Sequence, residues 1–237
     1  MLDTILFDLD GTLAPFNEKE FVECYFSGVV KKLHHLGVDG ELIIKGIWGG
    51  TKAMQQNDGT RTNADAFWAF FEPFVGLSRS VMEPIMADFY SNEFDKVKCV
   101  MKEQRDCAPM IKGLKAKGYT VALATNPIFP LNGVETRLSW VGLHVEDFAT
   151  VTSYETSCAA KPSTLYYQDV LDRLGKKPQQ CLMVGNNTAE DGAVLQMGIP
   201  VVLVTDTPEG PAEAPEGAMT MSFAQLQQYL DELPTVK

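Results

Sequence analysis

A short apolar run, Ile5-Leu6-Phe7, breaks without transition into Asp8-Leu9-Asp10-Gly11-Thr12. An unbroken apolar run of this kind is expected of a parallel strand covered on both faces. In an open α/β sheet, ligands sit beyond the carboxyl ends of the strands. The break therefore predicts that two carboxylates leave the strand where chemistry takes place. Carboxylates this close repel each other, at a cost in stability unless a cation or a shared proton compensates them. Gly11 permits a sharp exit and Thr12 offers a hydroxyl. Taken alone, the string leaves open the reading of a polar turn that closes a strand.

The remainder of the chain narrows the choice. Apolar runs recur at Tyr119–Ala124, Phe148–Val151, Cys181–Val184 and Val201–Val204, separated by helical patterns. Strands that alternate with helices imply βαβ units and a parallel sheet. Pro127 and Pro130 delay the helix after the second run, which the pattern places over residues 131–140. The segment from 205 to 220, rich in Pro, Gly, Ala and Glu, predicts a loop, and Ser222 a cap for a last helix carrying Phe223, Leu226, Tyr229 and Leu230.

Residues 16–104 follow a different pattern. Phe21, Val22, Tyr25, Phe26, Val29, Val30 and Leu33 recur at helical spacing, with Gly37 as a stop. Leu42, Ile43, Ile44, Ile47 and Trp48 suggest a second helix. Phe67, Phe70, Phe71, Phe74 and Val75 suggest a third, capped by Asn63 or Asp65. Ser78 or Ser80 would cap a fourth. The reading is thus a Rossmann-like α/β core with helices on both faces of a parallel sheet, formed by residues 1–15 and 105–237. An α-helical cap, residues 16–104, is inserted into it. Most of the cap aromatics are expected in a helical core, with one or two facing the cleft. Lys45, Lys52 and Arg61 are candidates to hold a substrate anion.

Composition excludes several classes. The formal net charge of −11 disfavours nucleic acid or an anionic membrane as partner. The 237-residue chain contains no apolar run approaching a membrane span, and its first residues lack a basic leader. Five cysteines without a CxxC pair fit a reducing, cytoplasmic setting. No protein partner is indicated.

Asp8-Leu9-Asp10-Gly11-Thr12-Leu13 resembles the first motif of the haloacid dehalogenase-like hydrolase superfamily. Val121-Ala122-Leu123-Ala124-Thr125-Asn126 resembles the second, an apolar strand ending in Ser or Thr. Lys161-Pro162 resembles the third, a Lys at the start of a helix. Leu182-Met183-Val184-Gly185, followed by Asn186-Asn187-Thr188-Ala189-Glu190-Asp191, resembles the fourth. There the family's usual first acid is replaced by Asn186, and Asp191 keeps a carboxylate.

The resemblance implies a helical cap of the first type and phosphoryl chemistry on a small phosphorylated substrate. Asp8 would be the nucleophile, and Asp10 the acid for the leaving oxygen and then the base for water. Thr125 and Asn126 would donate to the phosphoryl oxygens. Lys161 would be catalytic and phosphate-binding, as a point charge between nucleophile and phosphate. A lysine at the positive end of a helix is itself unfavourable unless an anion is there. Mg²⁺ would be held by Asp8, Asp10 and Asn186, with Asp191 contributing directly or through a water. A sugar phosphomutase or a 2-haloacid dehalogenase would share the framework. A catalytically impaired, phospho-ligand-binding relative would follow if Asn186 disables the site. Asp10 has no task in a dehalogenase, because a halide leaves without a proton.

Overall fold

A computed structural model describes residues 1–236. Five parallel strands, β1 (Thr4–Phe7), β2 (Thr120–Leu123), β3 (Cys181–Gly185), β4 (Val201–Val204) and β5 (Met219–Met221), form one sheet in the order β2-β1-β3-β4-β5. The chain moves from β1 to one side for β2 and then to the other side for β3. The sheet order reverses at β1, and the end of β1 is where a ligand crevice opens in such sheets.

Alternation along the strands builds a core on each face. Ile5, Phe7, Val121, Leu123, Leu182 and Val184 point to one face. Leu6, Ala122, Met183, Val201 and Leu203 point to the other. The second face is covered by α7 (Thr164–Leu174) through Tyr166, Tyr167, Val170 and Leu171. The first is covered by α5 (Ala108–Ala116) and α8 (Phe223–Glu232). Ser222 caps α8, its side chain accepting from the Gln225 N–H, as the sequence predicted. α6 (Leu131–Ser139) starts just after Pro130, as expected.

Between β1 and α5 lie four helices: α1 (Glu18–Leu33), α2 (Gly40–Gln55), α3 (Asn63–Val75) and α4 (Arg79–Asn92). The α3 cap is Thr62, whose side chain accepts from the Asp65 N–H, rather than Asn63 or Asp65. Asn63 has another task. Its N–H donates to Ser157 O at 2.7 Å, and its Nδ2 to Pro127 O and Ala159 O. The Ala64 N–H donates to Tyr154 O. The first amides of a helix lack partners within it, and here core loops supply them, which fastens the helical segment over the sheet end.

Two strand expectations need correction. Phe148–Val151 forms only an isolated bridge, Leu123 to Val151. Backbone bonds from Ala149 and Thr152 to the β2 edge run too briefly for a strand. The loop predicted through residue 220 gives way to β5 at Met219, pairing with β4. Among the described residues, no helix is long and apolar enough to cross a membrane.

Candidate active site

Three adjacent strands deliver the site. Asp8 follows β1, Thr125 follows β2 and Asn186 follows β3. Register places Phe7 opposite Leu123 and Val184, so these exits align. Gly11 makes the turn possible. Its φ of +73° suits glycine, and an added Cβ would lie 2.1 Å from Asn186 Nδ2.

Asp8 is 6% exposed. Its Oδ1 accepts from Lys161 Nζ at 2.8 Å and its Oδ2 from Thr12 Oγ1 at 3.2 Å. Lys161 precedes α7 and lies between two carboxylates, with Asp191 Oδ1 at 2.6 Å on its other side. Burial works against the Lys161 charge, but Asp191 and Asp8 outweigh it and hold the ammonium well above its ordinary range. Burial pushes the Asp8 carboxyl up to about 7 despite Lys161, helped by the charges of Asp191 and Asp10.

The other Asp191 oxygen accepts from the N–H groups of Asn186 at 3.0 Å and Asn187 at 2.9 Å. Asp191 is therefore tied to the ammonium and to the loop after β3. These contacts brace Lys161 and shape the loop. Asn186 presents Oδ1 to Thr12 Oγ1 at 3.2 Å, while its Nδ2 donates to Thr207 O at 2.6 Å. The amide thus meets a carbonyl that a carboxylate would repel, a physical reason for Asn at this position.

Thr12 Oγ1 lies 3.2 Å from both Asp8 Oδ2 and Asn186 Oδ1, so these oxygens converge. They are the hard oxygen donors that Mg²⁺ prefers. Among the described residues, no three His, Cys, Asp or Glu side chains form a metal cluster by themselves. A cation here would therefore use the Asn186 amide oxygen as well as Asp8.

Thr125 lines the cavity in front of Asp8. Its carbonyl accepts from Thr152 Oγ1 at 2.7 Å and from the Tyr166 hydroxyl at 2.9 Å, fixing the end of β2. Asn126 Oδ1 accepts from the Lys161 N–H, and its Nδ2 donates to both Glu190 oxygens at 3.1 Å. Burial pushes Glu190 up to about 7, against the pull of Lys161.

A buried arginine of the site went unread in the sequence. Arg137 on α6 is 0% exposed, and its Nη1 donates to Asp10 Oδ2. Its guanidinium carbon lies 4.2 Å from the Phe129 ring centroid. Burial raises the Asp10 carboxyl, and Arg137 opposes that rise. Asp10 Oδ1 is buried without a partner among the described residues. The signal for Arg137 was its register, since it shares the buried face of α6 with Val134 and Leu138. Lys45, Lys52 and Arg61 do not line the cavity. All are exposed, and Lys45 faces Glu41 at 3.4 Å.

Comparison with known proteins identifies the family. The haloacid dehalogenase-like hydrolase family matches residues 2–198. The pyrophosphatase PpaX of Bacillus cereus is 24% identical over 188 residues, which is 78% of this chain and 75% of that protein. A phosphatase of this class from Thermococcus onnurineus superposes with a TM-score of 0.62 at 20% identity, over 99% of this chain and 100% of its own. CbbY from Rhodobacter sphaeroides, solved in complex with phosphate, gives 0.58 at 21% identity, over 95% and 96%.

Proposed function

The chain belongs to the haloacid dehalogenase-like hydrolases, and from that premise we propose that it is a Mg²⁺-dependent phosphohydrolase acting on a small phosphorylated metabolite. The observation that carries this reading is Asp8, buried and held at 2.8 Å by the Lys161 ammonium, with the second carboxylate of Asp10 two residues on. Phosphoryl transfer needs a positioned nucleophile, an acid for the leaving oxygen and positive charge on the phosphoryl oxygens.

Asp8 attacks phosphorus, forming an aspartyl-phosphate as the bond to the leaving oxygen breaks. Asp10 gives its proton to that oxygen. In the second half, Asp10 takes a proton from water, which attacks the aspartyl-phosphate, releases phosphate and restores Asp8. Lys161 and Thr125 hold the phosphoryl oxygens, and the Asn126 side chain fixes the loop that carries Lys161. Asp8, the Asp10 carbonyl and Asn186 would hold Mg²⁺, which supplies charge against the transferring oxygens. The helical segment fastened through Asn63 acts as the lid that excludes water and selects the substrate.

The test is phosphate release from a panel of phosphomonoesters, with and without Mg²⁺, for the wild type and Asp8→Asn. Mg²⁺-dependent release that falls by about 10³-fold or more in Asp8→Asn supports the reading. Release that survives this substitution refutes it.

A further inference from the structure

The cavity in front of Asp8 has two unlike ends. One end is the oxygen-rich floor of Asp8, Asp10 and Glu190, and Glu209 lines it as well. The other end, under the helical segment, is built from rings and a thioether. Tyr25, Trp48, Phe67, Trp68, Phe71 and Met86 line it. The rings are held against one another: Phe67 stacks on Phe71 with centroids 5.3 Å apart, and Trp68 meets Phe71 edge-on at 5.5 Å. Phe70 and Phe74 of the same helix stack on each other on its outer side and do not line the cavity.

Among the described residues, no Lys, Arg or His lines the cavity. The two cations beneath the floor are already committed, Lys161 to Asp8 and Asp191, and Arg137 to Asp10. Glu18 and Glu209 line the same cavity and bring no positive charge to it. A second phosphate or a carboxylate on the substrate would enter this space without a counter-charge. An unpaired anion in apolar surroundings is strongly disfavoured. Among the uncharged polar groups that the lid contributes, Thr51 and Gln55 lie one turn apart on α2 and suit a hydroxyl or an amide.

The cavity volume is about 210 Å³. A dry protein cavity of roughly 150 Å³ accepts a benzene ring, so the space admits a phosphoryl group together with one ring. We infer that the substrate is a phosphomonoester with an apolar, ring-bearing leaving group and no second anionic group. This rests on the phosphohydrolase reading and narrows it. Bisphosphates, phosphorylated carboxylic acids, pyrophosphate and 2-haloacids fall outside the class.

The test compares kcat/KM, with Mg²⁺, for benzyl phosphate, glycerol 1-phosphate and 2-phosphoglycolate. Benzyl and glycerol phosphates release ordinary alcohols, so the ring rather than leaving-group reactivity is read. Burying a ring corresponds to about 10- to 100-fold in favour of benzyl phosphate. Gln55→Lys, on the exposed edge of the lid wall, places a cation at the cavity and should narrow the preference over 2-phosphoglycolate by about 10-fold. In parallel, tryptophan fluorescence follows binding of benzylphosphonate and methylphosphonate. Turnover of glycerol 1-phosphate or 2-phosphoglycolate as efficient as that of benzyl phosphate overturns the inference and leaves the phosphohydrolase standing. No turnover of any ester, with benzylphosphonate bound at least 10-fold more tightly, overturns the phosphohydrolase and supports the ring-accepting cavity. No ring preference in either assay overturns the inference.

Discussion

Asp10→Asn, Arg137→Met and the double variant take apart the ion pair that anchors the second acid. The two partners are unequal. The Arg137 side chain is 0% exposed and that of Asp10 is 30% exposed, toward the cavity. Arg137 Nε donates to Gly133 O at 3.2 Å, and Nη2 has no partner among the described residues. Asp10→Asn therefore strands a guanidinium that cannot lose its proton. Leaving one member of a buried pair uncompensated costs about 3–5 kcal/mol. Arg137→Met strands a carboxylate that burial already inclines to take up a proton and so to lose its charge. The loss there is about 1–2 kcal/mol. In a chain of this size, 1 kcal/mol moves Tm by about 2–4 °C. Asp10→Asn should then lower Tm by about 6–20 °C and Arg137→Met by about 2–8 °C. The double variant should melt above Asp10→Asn, because no charge is left unpaired. Circular-dichroism melts of the four proteins at neutral pH, without ligand, measure this. Asp10→Asn melting within about 2 °C of wild type, or a double variant no more stable than Asp10→Asn, refutes the reasoning.

Lys161→Met removes the ammonium between Asp8 and Asp191. Stability should fall by about 3–5 kcal/mol above neutral pH and by less near pH 5, where Asp8 can protonate; denaturant unfolding at the two pH values checks it. Asp8 must be ionised to attack, and its carboxyl is pushed up to about 7. The acid limb of kcat/KM should therefore move to lower pH as Mg²⁺ is raised, and a limb that stays in place at all Mg²⁺ concentrations contradicts the metal assignment. Glu209 is pushed up to about 9, first by burial and then by Glu18, Asp8, Asp10 and Glu190. Its folded form binds a proton more tightly than its unfolded form, so stability drains as pH rises from about 4.5 to 9. Glu209→Gln should thus raise Tm at pH 8 more than at pH 5, and an equal shift at both values would remove that explanation.

The site shows where sequence reading succeeds. A parallel strand written as Ile5-Leu6-Phe7 leaves Asp8 only one place to go, the carboxyl end of a sheet. Lys161 was legible as a lysine that needs an anion, and it has two, Asp8 and Asp191. Arg137 was not read, because one arginine in an amphipathic helix resembles any surface charge until its partner is in place. The rings of α3 were legible as a packed cluster. Which of them face the cavity depends on how α3 rotates once Asn63 is fastened to Pro127, Ser157 and Ala159. Phe148–Val151 has strand composition, yet it contacts the β2 edge too briefly to become one.

Local order in the chain determined the strand exits, the alternation of strand and helix, and the helical character of residues 16–104. These follow from periodicity and from bonds between near neighbours, which a sequence states directly. Tertiary structure alone decided the pairing of Arg137 with Asp10, separated by 127 residues, and the bond of Asn186 to Thr207. It also decided that, among the described residues, no cation lines the ring-walled end of the cavity. Charge neutralisation and cavity shape depend on groups from distant segments meeting at one point. No local pattern records such meetings, so they exist only once the chain is folded.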